Sequence, residues 1–210
     1  IGTMAKMWNA ESPVVMDLFC RDARLNLSRA YLRPGAPFGG SCLPKDLRSL
    51  AAAARRSGVE APLLNSVMIS NEAHLARCLD LVNRPNAGRI AWLGLAFKDN
   101  TDDLRESPAL KLFHALLMEG RDVHIFDPVL SGEELIGVNR KVYEQNVLPY
   151  QERLRPDLDS CLEGVDLAVL FTRDDDVVHR VMALPETVAI VDLVNDSPIC
   201  ERANYSGLCW

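Results

Sequence analysis

The sequence lacks the features by which membrane proteins, secreted proteins and dinucleotide-binding folds are recognised. It has no apolar run near the roughly 20 residues that a membrane helix needs, and its first residues are too polar for a signal peptide. It also lacks a CxxC pair and the three-glycine G-x-G-x-x-G fingerprint of dinucleotide-binding folds. These absences argue against a membrane protein, a small disulfide scaffold and a complete dinucleotide-binding motif.

The net charge and the positions of the cysteines further limit the partners and the cellular setting that the sequence predicts. The 29 acidic residues outnumber the 23 basic ones, and a net charge of −6 argues against a nucleic-acid partner. The six cysteines lie in apolar or helical stretches, which predicts a reducing, cytoplasmic setting in which most thiols are buried. The four histidines show no metal-ligand spacing with the cysteines, so we expect no zinc site.

Hydrophobic periodicity divides the 210 residues into two parts. Residues 1–85 have helical patterns, and residues 86–210 alternate apolar strands with helical or irregular segments. The predicted helices are 14–20, 46–58, 61–83 and 107–120, and the predicted strands are 89–97, 122–128, 166–172 and 188–194. Because alternating strands and helices form parallel sheets, we predict an α/β chain with a helical segment followed by a Rossmann-like parallel-sheet domain.

A turn-rich stretch between two predicted helices carries the most informative residues. Gly39 and Gly40 place bare backbone beside Cys42, and Lys45 follows at the start of a helix. A thiol just before a helix N-terminus and close to a lysine is favoured in its ionised form, which is a good nucleophile. On composition alone, a structural cysteine beside a turn is the stronger interpretation, because cysteine is commonly buried.

Two longer strings then identify a family. FGGSCLPKD at 38–46 and GLAFKDNTDDLRESP at 94–108 resemble, in this order, the two motifs of the UDP-glucose/GDP-mannose 6-dehydrogenase family. Neither string is a short pattern that recurs by chance, and the resemblance extends over essentially the whole chain. It favours the interpretation of Cys42 as the catalytic nucleophile.

The resemblance implies a four-electron oxidation that consumes two NAD. The C6 alcohol of a nucleotide sugar becomes an aldehyde, which the cysteine captures as a thiohemiacetal. A second oxidation gives a thioester, and water releases the uronate. Asp46 matches the family aspartate that orients or activates water; its alternative role is to stabilise the first turn of a helix.

The resemblance also implies binding residues. Lys98, directly after a predicted strand, matches the lysine that contacts the sugar nucleotide, and Arg33 matches an arginine that can reach the neighbouring subunit's site. Arg105 and Lys45 match residues on the cofactor side; a surface pair with Asp102 or Asp103 and a solvated lysine are the respective alternatives. Further substrate contacts are implied for Asn26, Tyr31, Phe38 and Gly39.

Family organisation implies domains and partners. Residues 1–85 correspond to the end of a central helical dimerisation region, and residues 86–210 to the nucleotide-sugar-binding domain. The family's N-terminal NAD-binding domain is not found in this sequence, which also begins with Ile1. We therefore expect a fragment that is inactive by itself and that still forms a homodimer.

Three details favour GDP-mannose as the substrate over UDP-glucose. The loop reads RPGAPFGGSC, residues 190–196 read IVDLVND, and the chain ends in GLCW. Ala36 and Pro37 depart from the family pattern and leave the shape of the sugar pocket open. The rival hypotheses are a UDP-glucose 6-dehydrogenase and a non-catalytic nucleotide-binding module. A cysteine acyl-transferase or hydrolase would need a histidine near the thiol, and the first histidine is His74.

Overall fold

The computed structural model describes most of the chain. The described residues are 2–23, 32, 34–84, 86–96, 101–130, 135–194 and 198–209. In these segments no helix is both long and apolar enough to cross a membrane.

Four helices form the first part of the chain. They are α1 (Gly2–Met7), α2 (Ser12–Phe19), α3 (Leu43–Arg56) and α4 (Pro62–Val82). Three of them carry a proline in the first turn, where the missing N–H costs nothing because it would have no helical partner. Helix α3 begins earlier than predicted, directly after Cys42, because Pro44 belongs to its first turn rather than to the preceding loop.

A five-stranded parallel sheet with helices forms the second part, which confirms the predicted fold class. The strands are β1 (Arg89–Leu93), β2 (Asp122–Phe126), β3 (Leu167–Leu170), β4 (Ala189–Asp192) and β5 (Tyr205–Gly207), in the order β2-β1-β3-β4-β5. The helices are α5 (Pro108–Met118), α6 (Gly137–Asn146), α7 (Leu158–Leu162) and α8 (Asp175–Met182), with 3₁₀ helices at Leu148–Arg153 and Pro198–Glu201.

The prediction of four strands was incomplete, and each predicted strand was too long. Strand β1 ends at Leu93 because Gly94 has a φ of 97°, a left-handed conformation that an extended strand does not contain. The fifth strand was missed because Tyr205–Gly207 is three residues long and carries no apolar run.

The sheet is buried on both faces, as its near-continuous apolar strands require. Trp92 and its alternate neighbours along the strands face one core, which contains Phe113 of α5 and Val82 of α4. Leu93 and its alternate neighbours face the other core, which contains Val181 of α8. Helix α4 therefore joins the first part of the chain to the sheet through its C-terminal end.

Hydrogen bonds at the carboxyl end of β1 fix the segment that enters α5. The buried Asp127 carboxylate accepts from the Leu95 N–H at 2.7 Å, and the Ser107 hydroxyl donates to the Leu95 carbonyl at 2.6 Å. Ser107 also caps α5 by accepting from the Leu110 N–H. The start of α5 is therefore held against the end of β1.

The N-terminal helices are attached to the far edge of the same sheet. The Lys6 ammonium donates to the Gly207 carbonyl of β5, and the Ser12 hydroxyl donates to the Cys209 carbonyl. Ser12 is fully buried at this contact. Residues 205–209 thus join the two parts of the chain at a second place.

Candidate active site

Cys42 lies at the N-cap of α3 with an exposed side chain. Cys78, Cys161 and Cys209 are buried, so half of the six cysteines match the expectation of buried thiols. Burial raises the pKa of the Cys78 and Cys161 thiols to about 12, which makes both inert. Exposure and a position at a helix start therefore distinguish Cys42 from the buried thiols.

Four of the predicted site residues lie outside the described residues. They are Asn26, Tyr31, Arg33 and Lys98. The contacts that the family resemblance implies for them stay predictions.

The loop before Cys42 lies directly against residues 105–108, which belong to the second motif. The Gly40 N–H donates to the Arg105 carbonyl at 3.0 Å. A Cβ on Gly39 would come within 2.4 Å of the Glu106 carbonyl oxygen and 2.6 Å of Pro108 Cδ. Because only glycine permits this approach, the two motifs form one site although about 60 residues of chain separate them.

Arg105 is the cation of this site. Its Nε and Nη2 donate to the two carboxylate oxygens of Asp103, each at 2.7 Å, as one of the alternative interpretations predicted. These hydrogen bonds raise the pKa of Arg105, and a smaller electrostatic contribution from Cys42 acts in the same direction. The Arg105 side chain is still 39% exposed, so it can also meet an anionic ligand.

Lys45 and Asp46 lie on the exposed first turn of α3. The Lys45 ammonium is 3.2 Å from the Asp46 carboxylate, and both side chains are about two-thirds exposed. Because a surface ion pair of this kind contributes little to stability, both groups are available to a ligand. The Ser41 hydroxyl, 3.6 Å from the Cys42 sulfur, is the nearest polar partner of the thiol within the loop.

An ion pair that the sequence did not predict connects α3 to the second motif. Arg48 holds the Glu106 carboxylate with two hydrogen bonds, one of them 3.0 Å long. These bonds lower the pKa of Glu106. Glu106 directly precedes Ser107, the N-cap of α5, and has a φ of 48°.

Helix α4 supports the other end of the loop. The Asn71 side chain accepts from the Phe38 N–H at 2.9 Å and donates to the Phe38 carbonyl at 3.0 Å. His74 Nε2 donates to the Gly35 carbonyl at 2.7 Å, and burial lowers the pKa of its imidazole. No local pattern could identify these two residues, since each reaches its partner across more than 30 residues of chain.

Phe38 and the support residues of α4 also line an open pocket. Its volume is about 510 Å³, and its wall includes Phe38, Asn71, His74 and Arg77. The volume is within the range of small-molecule sites, roughly 300–1,000 Å³. The predicted substrate residue Phe38, four residues before Cys42, therefore lines a cavity large enough for a ligand.

The chemistry available at this site is that of a nucleophile beside a cation. The exposed thiol can attack an electrophilic carbon, and Arg105 can hold an anionic group next to it. In the described part of the chain no group of three histidine, cysteine or acidic side chains is arranged to hold a metal ion.

Comparison with known proteins gives two matches to family models. Residues 1–73 match the central domain of the UDP-glucose/GDP-mannose dehydrogenase family, and residues 91–196 match the UDP binding domain of the same family. Both motifs at the site lie within the matched segments.

Individual relatives match with similar identity but different coverage. GDP-mannose 6-dehydrogenase of Pseudomonas aeruginosa is 39% identical over 210 residues, which is the whole of this chain and 48% of that protein. UDP-glucose 6-dehydrogenase AglM of Haloferax volcanii is 39% identical over 134 residues, 62% of this chain and 31% of that protein. A solved ternary complex of GDP-mannose dehydrogenase from P. aeruginosa matches the whole chain with a TM-score of 0.80, 39% identity and 48% coverage of that structure. The chain thus spans about half the length of the relatives it matches.

Proposed function

Because the chain belongs to the UDP-glucose/GDP-mannose dehydrogenase family, we propose that it functions in an NAD-dependent 6-dehydrogenase that converts GDP-mannose to GDP-mannuronate. One observation carries the proposal. The loop of Cys42 and the segment of Arg105 meet at Gly39 and Gly40, which brings an exposed thiol and an exposed cation together. A cytoplasmic setting, expected from cysteine usage, is part of the proposal.

Cys42 supplies the covalent step. Once the C6 alcohol has been oxidised, the sulfur attacks the aldehyde carbon, and the carbonyl oxygen takes a proton to give a thiohemiacetal. Loss of a hydride and a proton from this adduct leaves a thioester. Water, oriented by Asp46, then adds to the thioester carbon, and the thiol leaves as the uronate forms.

Arg105 fits the cofactor that these oxidations require. NAD, when bound, accepts one hydride in each of the two oxidations. The part of the Arg105 guanidinium that Asp103 does not cover is suited to a diphosphate, and Lys45 adds a second exposed cation on α3. Lys98, Arg33, Tyr31 and Asn26 complete the proposed substrate contacts, together with Phe38 and Gly39.

The share of the chain that aligns with each relative in sequence favours GDP-mannose over UDP-glucose as the substrate. The P. aeruginosa GDP-mannose 6-dehydrogenase aligns with the whole chain, whereas the H. volcanii UDP-glucose enzyme aligns with 62% of it at the same identity. The loop sequence RPGAPFGGSC and the ending GLCW favour the same choice.

Binding to the chain tests this choice without requiring turnover. At a free concentration of 100 times its Kd, a ligand stabilises the folded state by about 2.7 kcal/mol, which for a chain of this size raises Tm by roughly 5–10 °C. We expect this shift with GDP-mannose in a thermal melt, and a smaller shift with UDP-glucose at the same concentration.

A Cys42→Ser variant is the matched control, because it should retain the shift while losing the covalent chemistry. A larger shift with UDP-glucose would support the rival substrate. Absence of a shift with either sugar nucleotide would refute the proposed substrate class.

We also propose that the chain forms a homodimer through its N-terminal helices. Large apolar side chains of α1 and α2 are exposed, among them Met7 at 71%, Leu18 at 65% and Phe19 at 51%, and Trp8, directly after α1, is 70% exposed. A second copy of the same surface would remove this apolar area from water.

Light scattering is expected to give twice the chain mass of 23.3 kDa. Leu18→Lys should yield the single-chain mass, since it places a charge in the proposed interface. Met118→Lys, at an 87% exposed position on α5, should leave the dimer intact. A single-chain mass for the unmodified protein at micromolar concentration would contradict the proposal.

A further inference from the structure

We propose that Arg48 and Glu106 are positioning residues that hold the Cys42 thiol beside the Arg105 guanidinium. The proposal deepens the proposed function, since it concerns the same thiol. Neither side chain is needed to touch the substrate. Their role is to fix the distance between a nucleophile on α3 and a cation on the loop that leads into α5.

Three contacts attach residues 105–106 to both sides of Cys42. On the N-terminal side, the Arg105 carbonyl accepts from the Gly40 N–H, and the Glu106 carbonyl lies against Gly39. On the C-terminal side, the Glu106 carboxylate takes two hydrogen bonds from Arg48. Cys42 is therefore bracketed by attachments to one dipeptide, two and three positions before it and six positions after it.

The backbone conformation of Glu106 supports a functional role for its contacts with Gly39 and Arg48. A φ of 48° is disfavoured for a residue with a side chain, and such conformations persist only where surrounding contacts enforce them. Turning Glu106 into this conformation directs its carbonyl at Gly39 while its carboxylate meets Arg48. The ion pair and the unfavourable backbone conformation therefore belong to the same attachment.

The attachment of residues 105 and 106 matters for the reactivity of Cys42 because Arg105 carries the cation of the site. Asp103, two residues before Arg105 on the same loop, accepts two hydrogen bonds from its guanidinium. The position of this cation therefore depends on residues 103–106 and not on α3. The contacts of residues 105 and 106 with Gly39, Gly40 and Arg48 connect this loop to the segment that carries the thiol. Release of Glu106 from Arg48 would let the thiol and the cation move apart.

Alkylation of Cys42 with a charged and a neutral reagent tests the proposal. Iodoacetate and iodoacetamide attack the same thiolate and are similar in size, so the ratio of their rates cancels differences in ionisation and access. A cation held near the sulfur favours the anionic reagent. Peptide mass spectrometry gives both rates for Cys42, and the exposed Cys200 provides a reference ratio in the same sample.

Two variants separate positioning from simple charge. Glu106→Gln removes a negative charge, so a pure charge effect would raise the iodoacetate preference of Cys42, whereas loss of positioning lowers it. Arg48→Lys keeps the charge but loses the two-pronged geometry, so only loss of positioning lowers the ratio. We expect a decrease of about threefold or more in both variants, relative to Cys200.

Controls on the same chain make the result decisive. Arg140→Met breaks the exposed Arg140–Glu144 pair on α6 and should leave the Cys42 ratio unchanged. The buried Cys78 and Cys161 stay unalkylated only in folded protein, so they report unfolding of any variant. An unchanged or raised ratio in folded Glu106→Gln or Arg48→Lys would overturn the proposal. Because no sugar nucleotide is present, this outcome is independent of the thermal-shift test of substrate.

Discussion

Replacing Gly39 with alanine is expected to force the Cys42 loop away from residues 105–108. The new methyl group would lie 2.4 Å from the Glu106 carbonyl oxygen, and neither backbone can retreat without breaking the bond from Gly40 to Arg105. Overpacking of this kind costs about 1–3 kcal/mol, which lowers Tm by roughly 4–8 °C at 2 kcal/mol. Hydrogen exchange of the Gly40 amide should accelerate by about tenfold, in line with the loss of one backbone hydrogen bond.

Gly35→Ala in the same loop is the matched control. A Cβ there meets only the Val194 carbonyl at 3.9 Å, an ordinary contact distance. Its Tm and the exchange of the Gly40 amide should therefore match those of the unmodified protein. If Gly39→Ala behaved like Gly35→Ala, the close approach of the two motifs would be disproved.

Trp92→Ala is expected to lower the free energy of unfolding by more than Gly39→Ala does. The Trp92 side chain is fully buried at the centre of the sheet, stacks against Phe171 with ring centroids 6.4 Å apart, and donates from its indole N–H to the Gly94 carbonyl at 2.9 Å. Removing a buried tryptophan costs about 3–5 kcal/mol. With a urea m-value of about 2 kcal/mol/M, the unfolding midpoint should fall by roughly 2 M.

Two variants separate the contributions at this position. Trp92→Phe keeps an aromatic ring but loses the indole donor, so its midpoint should fall between those of Trp92→Ala and the unmodified protein. Met118→Ala, at an 87% exposed position, should change the free energy of unfolding by less than about 0.5 kcal/mol. A midpoint for Trp92→Ala within error of the unmodified protein would contradict the central place of this side chain in the core.

Local signals predicted the parts of the fold that are determined locally. The predicted helix at 107–120 agrees with α5 to within two residues at each end, with Ser107 as its cap and Gly120, at a φ of 73°, just beyond its end. The apolar run from Arg89 predicted β1, and Trp92 within that run is fully buried. These features depend on neighbours a few residues apart, which is the range over which capping and periodicity act.

The parts of the site that were missed depend on distant contacts. Asn71 reaches Phe38 across 33 residues and Arg48 reaches Glu106 across 58, and neither pair has a pattern that singles it out along the chain. The family motifs supplied Cys42 and Arg105, but only the folded chain shows that Gly39 and Gly40 bring them together. The roles of Asp46 and Lys45 stay predictions, since their exposed ion pair is compatible with several functions.

The bonds from Lys6 and Ser12 to residues 207 and 209 have a consequence for cooperativity. They fasten α1 to β5 and α2 to the residues that follow β5, so the orientation of both helices depends on this edge of the sheet. In the homodimer proposed above, subunit association and the integrity of the sheet are thereby energetically linked. Fraying of that edge would release the proposed contact helices, and we expect partial melting and dissociation to occur as one transition rather than two.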